Sequence, residues 1–156
     1  DRTRRISSSR QGGRFVGSDL YYEDLRKRQV NKDIHRIIGN GKYGKIPTTL
    51  LESTPVSTEN SVYSKRISWI HMNSMIPLRV DYYEPGREAP VKRMKVSKIQ
   101  KIQGYWTILD STMYDLKSGH QTRLVAKTIK YDSQLPDSLF SRRSLSDTQF
   151  EEKYRP

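Results

Sequence analysis

The sequence contains no cysteine. This absence excludes a disulfide framework, a thiolate metal site and a cysteine nucleophile. It fits a reducing cytosol and equally an envelope protein without disulfides, so the redox compartment stays open. No apolar run approaches the roughly 20 residues that a membrane-spanning helix needs. The chain begins at Asp1 without Met and shows no signal peptide, which predicts a processed chain or a fragment.

The sequence also lacks the residue patterns of common catalytic and metal sites. Its three histidines, His35, His71 and His120, are not at metal-ligand spacing. Adjacent carboxylates occur only at 23–24 and 151–152, and neighbours on a helix point to different sides. A phosphate-binding glycine loop and a nucleophile elbow are both missing. We therefore predict that the chain is not an enzyme and that it needs neither a metal nor a cofactor.

Basic residues dominate the charge: 29 Lys and Arg against 17 Asp and Glu give a formal net charge of +12. Such a charge attracts nucleic acid, anionic lipid headgroups or acidic protein surfaces, and does not choose between them. One predicted strand carries five cations and no acid: Lys92, Arg93, Lys95, Lys98 and Lys101. The large aromatic residues fall on predicted apolar faces and not beside these cations. A nucleic-acid-binding β domain is therefore the weakest of three hypotheses.

Alternation of apolar and polar residues predicts about seven antiparallel strands in meander order. The strands are predicted at 33–39, 46–54, 62–72, 78–82, 91–102, 105–116 and 120–131. Turns are predicted at Asn40-Gly41, Pro85-Gly86, Gln103-Gly104 and 117–119. In the third strand, Tyr63, Ile67 and Trp69 are predicted to share the apolar face. A twisted sheet of this size tends to curl, which predicts a curved sheet or an incomplete barrel.

One helix is predicted from about Asp19 to Arg28, with Ser18 as its N-cap. Its acids come early and its bases late, as the helix dipole prefers. A further helical turn is predicted at 136–140. We divide the chain into a basic flexible arm at 1–14, a β domain at 15–145 and a polar C-terminal tail at 146–156.

Six phrases of the sequence carry a family resemblance. They are FVGSDLYYEDL at 15–25, YSK at 63–65, PLRVDYY at 77–83, GYWT at 104–107, SGHQT at 118–122 and PDSLF at 136–140. In order and spacing, they resemble the bacterial outer-membrane lipoprotein-sorting protein family. These are the LolA-like domains often encoded near RND-type (MMPL) exporters. The similarity runs from about Arg4 to Leu145.

The resemblance implies a mainly β fold: an incomplete antiparallel β-barrel around an apolar cavity, with one or two short helices. It also implies a location in the periplasm of a Gram-negative bacterium. Family members usually carry further strands before the position of Arg4. We therefore expect a barrel without those strands and with an edge strand open to pairing.

The function that the resemblance implies is that of a lipid- or lipoprotein-binding carrier, which presents acyl chains to or from an envelope transport system. The expected partners are a lipoprotein acyl chain or lipid, an RND/MMPL-type exporter or an outer-membrane acceptor, and a second copy paired through the edge strand. Nucleic acid is not an expected partner. The alternative is an interaction module of an envelope exporter that carries no hydrophobic cargo.

The expected binding surface is apolar, because an acyl chain gains about 0.8 kcal/mol for each methylene that it buries. The residues expected to line this cavity are Ile67, Trp69, Val80, Tyr82, Met94, Val96, Trp106, Ile108 and Met113. Each of them could equally be packed core, since apolar strand faces usually are. The side chains expected to meet an anionic headgroup or an acidic partner are Lys92, Arg93, Lys95 and Lys98.

Overall fold

The computed structural model describes residues 12–142, 144 and 147–154. These residues form one antiparallel sheet of seven strands in sequential order, which is not closed into a barrel. The strands are β1 (Asp33–Tyr43), β2 (Ile46–Pro55), β3 (Lys65–His71), β4 (Ile76–Tyr83), β5 (Lys92–Ile102), β6 (Tyr105–Asp115) and β7 (Gln121–Val125). The predicted fold class, mainly β with an open antiparallel sheet, is confirmed. The first 11 residues of the predicted arm lie outside the described residues, and the domain boundaries stay predictions.

The described helices are short. They are 3-10 helices at Tyr22–Leu25, Val30–Lys32, Thr58–Asn60 and Asp137–Phe140, and an α-helix, α1, at Thr148–Glu152. The last of the 3-10 helices confirms the predicted turn at 136–140. Among the residues that the structure describes, no helix has the length and apolar content to cross a bilayer.

The predicted helix at 19–28 is wrong, because its polar residues are used in other contacts. Ser18 Oγ donates to the carbonyl of Phe15 instead of capping a helix. The carboxylate of Asp24 accepts a hydrogen bond from the Tyr63 hydroxyl at 2.9 Å. The carboxylate of Glu23 accepts hydrogen bonds from the Ser61 hydroxyl and from the backbone N–H of Val62. These contacts hold the segment against the sheet and leave a single 3-10 turn, so tertiary structure overrides helix propensity.

Three of the four predicted turns are confirmed, at 85–86, 103–104 and 117–119. At Gln103-Gly104 both residues have positive φ, 48° and 91°, as a type I′ hairpin requires. The turn predicted at Asn40-Gly41 is wrong, because both residues lie inside β1. A Cβ atom at Gly41 would lie 3.2 Å from Trp69 Nε1, so glycine here lets the indole approach the strand.

Two strands, β3 and β7, are shorter than predicted by more than one residue. β3 starts at Lys65 instead of residue 62, although the N–H of the preceding Ser64 still bonds to the carbonyl of Tyr83 in β4 at 2.8 Å. β7 ends at Val125 instead of continuing to residue 131. Beyond it, Ala126 keeps one bond to β6, from its N–H to the carbonyl of Leu109 at 2.9 Å.

The sheet is strongly curved. The Tyr43 hydroxyl, at the end of β1, donates to the carbonyl of Val96 in β5 at 2.9 Å. Three strands separate β1 from β5 in the sheet. Since neighbouring strands lie about 4.8 Å apart, a flat sheet would keep these two groups too distant to bond. The curvature that the sequence predicted is therefore present.

Candidate functional site

The register of the central strands assigns their side chains to two faces. Residues directly opposite one another on neighbouring strands share a face. One set, here called the core face, comprises the rows Ser68–Val80–Met94–Met113 and Arg66–Tyr82–Lys92–Asp115. The other, here called the charged face, comprises the rows Ile67–Asp81–Arg93–Tyr114 and Trp69–Arg79–Lys95–Thr112.

The core face packs against the N-terminal segment, here the described residues 12–32 that precede β1. Leu20 and Tyr63 join the apolar residues of the core face in a buried cluster, and Tyr21 packs on its edge. Asp19 fixes the segment from the side: its backbone N–H donates to Thr122 Oγ1 at 2.9 Å, and that hydroxyl donates to its carboxylate at 2.8 Å. The N-terminal segment is therefore a structural cover for this part of the sheet.

Lys92 is fully buried beneath that cover. Its Nζ donates to the carbonyl of Asp19 at 2.6 Å and lies 2.9 Å from the ring centroid of Tyr21. The carboxylate of Asp24 is 3.9 Å away. Burial lowers the pKa of Lys92 to about 8, an effect that Asp24 and Asp115 partly oppose. This lysine, which the sequence placed among the headgroup or partner contacts, is closed to solvent, and the prediction for it is wrong.

Tyr63 links the N-terminal segment to the core. Its hydroxyl donates to Asp24 Oδ1 at 2.9 Å, and its ring lies 4.8 Å from that of Tyr82. We expect Tyr63→Phe to lower the free energy of unfolding by about 1.5 kcal/mol, because a bond to a buried carboxylate is lost. Urea denaturation measures this change. Tyr82→Phe is the matched control, since the Tyr82 hydroxyl bonds to no described residue, and equal effects of the two variants would contradict the assignment.

The charged face is organised around Asp81. This carboxylate is buried and receives paired hydrogen bonds from Arg79 and from Arg93, at 2.5–2.9 Å. Burial works to raise the pKa of Asp81, but these hydrogen bonds outweigh it and hold the pKa below the usual value. The guanidinium of Arg79 also lies 4.1 Å from the Trp69 ring centroid, a cation–π contact. This face therefore carries a buried network of charge pairs centred on Asp81.

The structure brings together some of the predicted cavity residues and separates others. Val80, Tyr82, Met94 and Met113 meet in the first buried cluster, and Val96 and Ile108 meet in a second one that Met94 also contacts. Ile67 and Trp69 lie on the opposite, charged face, so the prediction of one shared apolar face is wrong. Trp106 is 42% exposed and belongs to neither cluster. The lining role of these residues stays a prediction.

A strip of partly buried apolar residues borders the second cluster. Val96 is buried there, whereas Met94, Ile99, Ile108 and Tyr43 are only half-buried around it. Ile99 pairs with Ile108, and Trp106 lies two residues earlier in β6, on the same side. The sequence analysis missed Ile99 because a register shift near residue 98 interrupts the alternation of β5. It missed Tyr43 because it ended the first strand at residue 39, whereas β1 continues to residue 43. We call Met94, Ile99, Ile108 and Trp106 the apolar strip.

The predicted headgroup or partner residues also separate. Arg93 is committed to Asp81, whereas Lys95 lies near the ring of Tyr114, 5.3 Å from its centroid. Lys98 is exposed at the far end of β5. Only the last two therefore keep an ammonium group free of described ion pairs. Over the described parts of the chain, no group of three or more His, Cys, Asp or Glu residues could hold a metal ion.

Three solved structures resemble this fold. A domain described as outer membrane lipoprotein-sorting, from Vibrio parahaemolyticus, has a TM-score of 0.88 at 26% identity, covering 94% of this chain and 62% of that one. A DUF1329 family protein from Desulfovibrio piger has a TM-score of 0.86 at 29% identity, covering 91% of this chain and 59% of that one. A LolA superfamily protein from Nitrosomonas europaea has a TM-score of 0.70 at 19% identity, covering 86% of this chain and 60% of that one.

These comparisons confirm the LolA-like fold that the sequence phrases predicted. The chain spans about 62% of the length of the Vibrio structure that it matches. Among curated proteins, no sequence matches it significantly. A family model with the description "-like: Uncharacterized protein" matches residues 1–147. The chain therefore belongs to the family that this model defines, and its fold is LolA-like.

Proposed function

We propose that this chain is a lipid- or lipoprotein-binding carrier domain of the periplasm, which presents acyl chains to or from an envelope transport system. The apolar strip is the observation that carries the proposal. Met94, Ile99 and Ile108 pack half-buried against the cluster that holds Val96, and Trp106 lies exposed two residues from Ile108 in β6. An acyl chain laid along them would gain about 0.8 kcal/mol for each methylene buried. Met94 adapts to a flexible ligand because its side chain is unbranched and polarizable.

The fold comparisons support this proposal at a coarser level. The Vibrio structure is described as a lipoprotein-sorting domain, and the Nitrosomonas structure belongs to the LolA superfamily. An RND/MMPL-type exporter or an outer-membrane acceptor is the proposed partner. Nucleic acid binding has less support, because one cation of the basic strand is buried and another is committed to Asp81.

An interaction module without hydrophobic cargo is the second candidate, and the edge strand β1 favours it. Within the described part of the chain, β1 has a neighbouring strand on one side only, and it exposes Ile34 by 65% and Ile37 by 69%. An exposed edge with apolar side chains is a template for pairing with another strand. A second copy or a strand of an envelope partner would fit this edge.

Native mass spectrometry after gentle extraction, followed by displacement of a fluorescent fatty acid, tests the carrier function. We expect co-purified lipid and saturable displacement. Trp106→Arg is expected to weaken displacement at least tenfold, or about 1.4 kcal/mol, because the variant puts a charge where the chain would lie. Tyr105→Arg is the matched control: Tyr105 is similarly exposed, and its ring packs on Tyr131, away from the strip.

Two outcomes would contradict the carrier proposal. One is the absence of both bound lipid and saturable displacement. The other is an equal effect of Trp106→Arg and Tyr105→Arg on displacement of the fluorescent fatty acid. That result would show that the apolar strip is not the binding surface. Self-association that depends on concentration, in a protein without bound lipid, would favour the interaction module instead.

A further inference from the structure

A groove lies on the other side of the β5–β6 hairpin from the apolar strip. It has a volume of about 630 Å³ and runs between the end of β5 and the chain segment at 126–129. Side chains alternate along β5, so Lys98, Gln100 and Ile102 face the groove, whereas Ile99 faces the strip. The volume falls within the roughly 300–1,000 Å³ of cavities that hold one small ligand.

Irregular pairing shapes the groove. The register of β5 and β6 shifts on both sides of Lys98, and Leu109 of β6 is left without a partner in β5. Such bulges bend a strand and redirect side chains, and they occur often beside functional sites. The bend lets Leu109 form part of the groove wall.

The outer wall is clamped at both ends. At one end the N–H of Ala126 donates to the carbonyl of Leu109. At the other, Gln103 bonds the backbone of Tyr131 twice, through Oε1 at 2.7 Å and Nε2 at 3.2 Å. The hydroxyls of Tyr131 and Thr107 lie 2.8 Å apart. A wall fixed in this way costs little conformational entropy when a ligand binds.

The groove is lined by both aliphatic and charged residues. The apolar residues of the groove are Ile102, Leu109, Val125, Ala126 and Ile129. The charged ones are Lys98, Arg123, Lys127 and Asp110. Asp110 already accepts two bonds from Arg123, at 3.0 and 2.6 Å. Three cations less one anion leave a local charge of +2, and neither lysine forms an ion pair with a described carboxylate.

We propose that this groove binds a long-chain carboxylic acid, a fatty-acid anion. The aliphatic side chains of the lining take the hydrocarbon chain, and the ammonium groups of Lys98 and Lys127 take the carboxylate. The groove volume favours a single acyl chain over a two-chain phospholipid. The site is separate from the apolar strip and does not depend on it.

The test measures displacement of dansyl-undecanoic acid from the purified chain by palmitate and by hexadecanol, which has the same chain length without the charge. The double variant Lys98→Glu/Lys127→Glu is expected to weaken palmitate binding about tenfold or more, because two charge-assisted contacts become repulsive. Hexadecanol binding is expected to stay unchanged. The matched control is Lys101→Glu/Lys130→Glu, the same charge change at exposed lysines of the same two segments outside the groove lining.

A photoactivatable palmitate locates the bound chain. Labelling within residues 124–130 that the double variant loses would support the groove. Labelling confined to the neighbourhood of Trp106 would contradict the proposal that the groove binds the fatty acid, but it would leave the proposed carrier function standing. Equal loss of palmitate binding in the double variant and its control would mean that the effect comes from net charge alone. That result would also contradict the proposal that the groove is the binding site.

Discussion

Replacing Asp81 with asparagine is expected to lower the free energy of unfolding by about 3 kcal/mol, the scale for breaking a buried ion pair. The side chain of Asp81 is only 3% exposed, and it separates two guanidinium groups. Asparagine keeps the size but cannot neutralise Arg79 and Arg93, which would then face each other as like charges. The change is measured by urea denaturation at neutral pH.

Asp110→Asn is the matched control for this prediction. Asp110 also accepts paired bonds from an arginine, but Arg123 is 66% exposed, and such surface pairs contribute little to stability. If the two Asp→Asn variants lost the same stability, the charge cluster around Asp81 would not hold the sheet. A second variant, Asp81→Glu, keeps the charge and should recover part of the loss.

The strands and most turns could be predicted from the sequence because their signals are local. Alternation and turn residues located all seven strands, and the positive φ at Gln103-Gly104 follows from the hairpin geometry that the dipeptide favours. The turn at Asn40-Gly41 was wrong for a non-local reason. A Cβ atom at Gly41 would lie 3.0 Å from Leu50 Cδ2 and 3.2 Å from Trp69 Nε1, so side chains of β2 and β3 occupy the space that glycine leaves.

The two sides of the sheet could not be predicted in the same way. Alternation within β3 correctly grouped Ile67 with Trp69, but it could not show which side of β4 they would meet. That depends on the register, which pairs Ile67 with Asp81 and Trp69 with Arg79. A shift of one residue would reverse the result. The apolar residues of β3 and β4 therefore lie on opposite faces, and only part of the predicted lining is brought together.

The candidate surfaces at the end of the β5–β6 hairpin depend on contacts that alternation does not contain. The register shifts beside Lys98 assign Ile99 to the strip and Lys98 to the groove. The segment at 126–129 forms a wall only because Gln103 and Leu109 hold its two ends. Of the four predicted headgroup residues, one, Lys98, lines this groove.

The stability of the protein is expected to rise by about 2 kcal/mol between about pH 7.5 and 9.5 through Lys92 alone. Burial lowers the pKa of Lys92 from 10.5 to about 8 in the folded chain. In the unfolded chain, the lysine keeps its proton until the pH approaches its ordinary value. Between these two pKa values, the unfolded state binds more protons, so raising the pH favours the folded state. Below about pH 8 both states are protonated, and the cost of burying the charge is present in full.

The comparison of wild type with Lys92→Met isolates this contribution, because every other titrating group is common to both proteins. Urea denaturation at several pH values should give a stability difference that moves in favour of wild type as the pH rises. Above about pH 10 the tyrosines act oppositely, since burial raises the pKa of Tyr82 and of Tyr63, which stabilises their protonated folded forms. Lys101→Met, at an exposed position of the same strand, should keep the wild-type slope. The prediction would be contradicted if stability changed with pH in the same way in Lys92→Met and in wild type. The contacts with Asp19, Tyr21 and Asp24 would then stabilise the Lys92 ammonium group in the folded chain as well as water does in the unfolded chain.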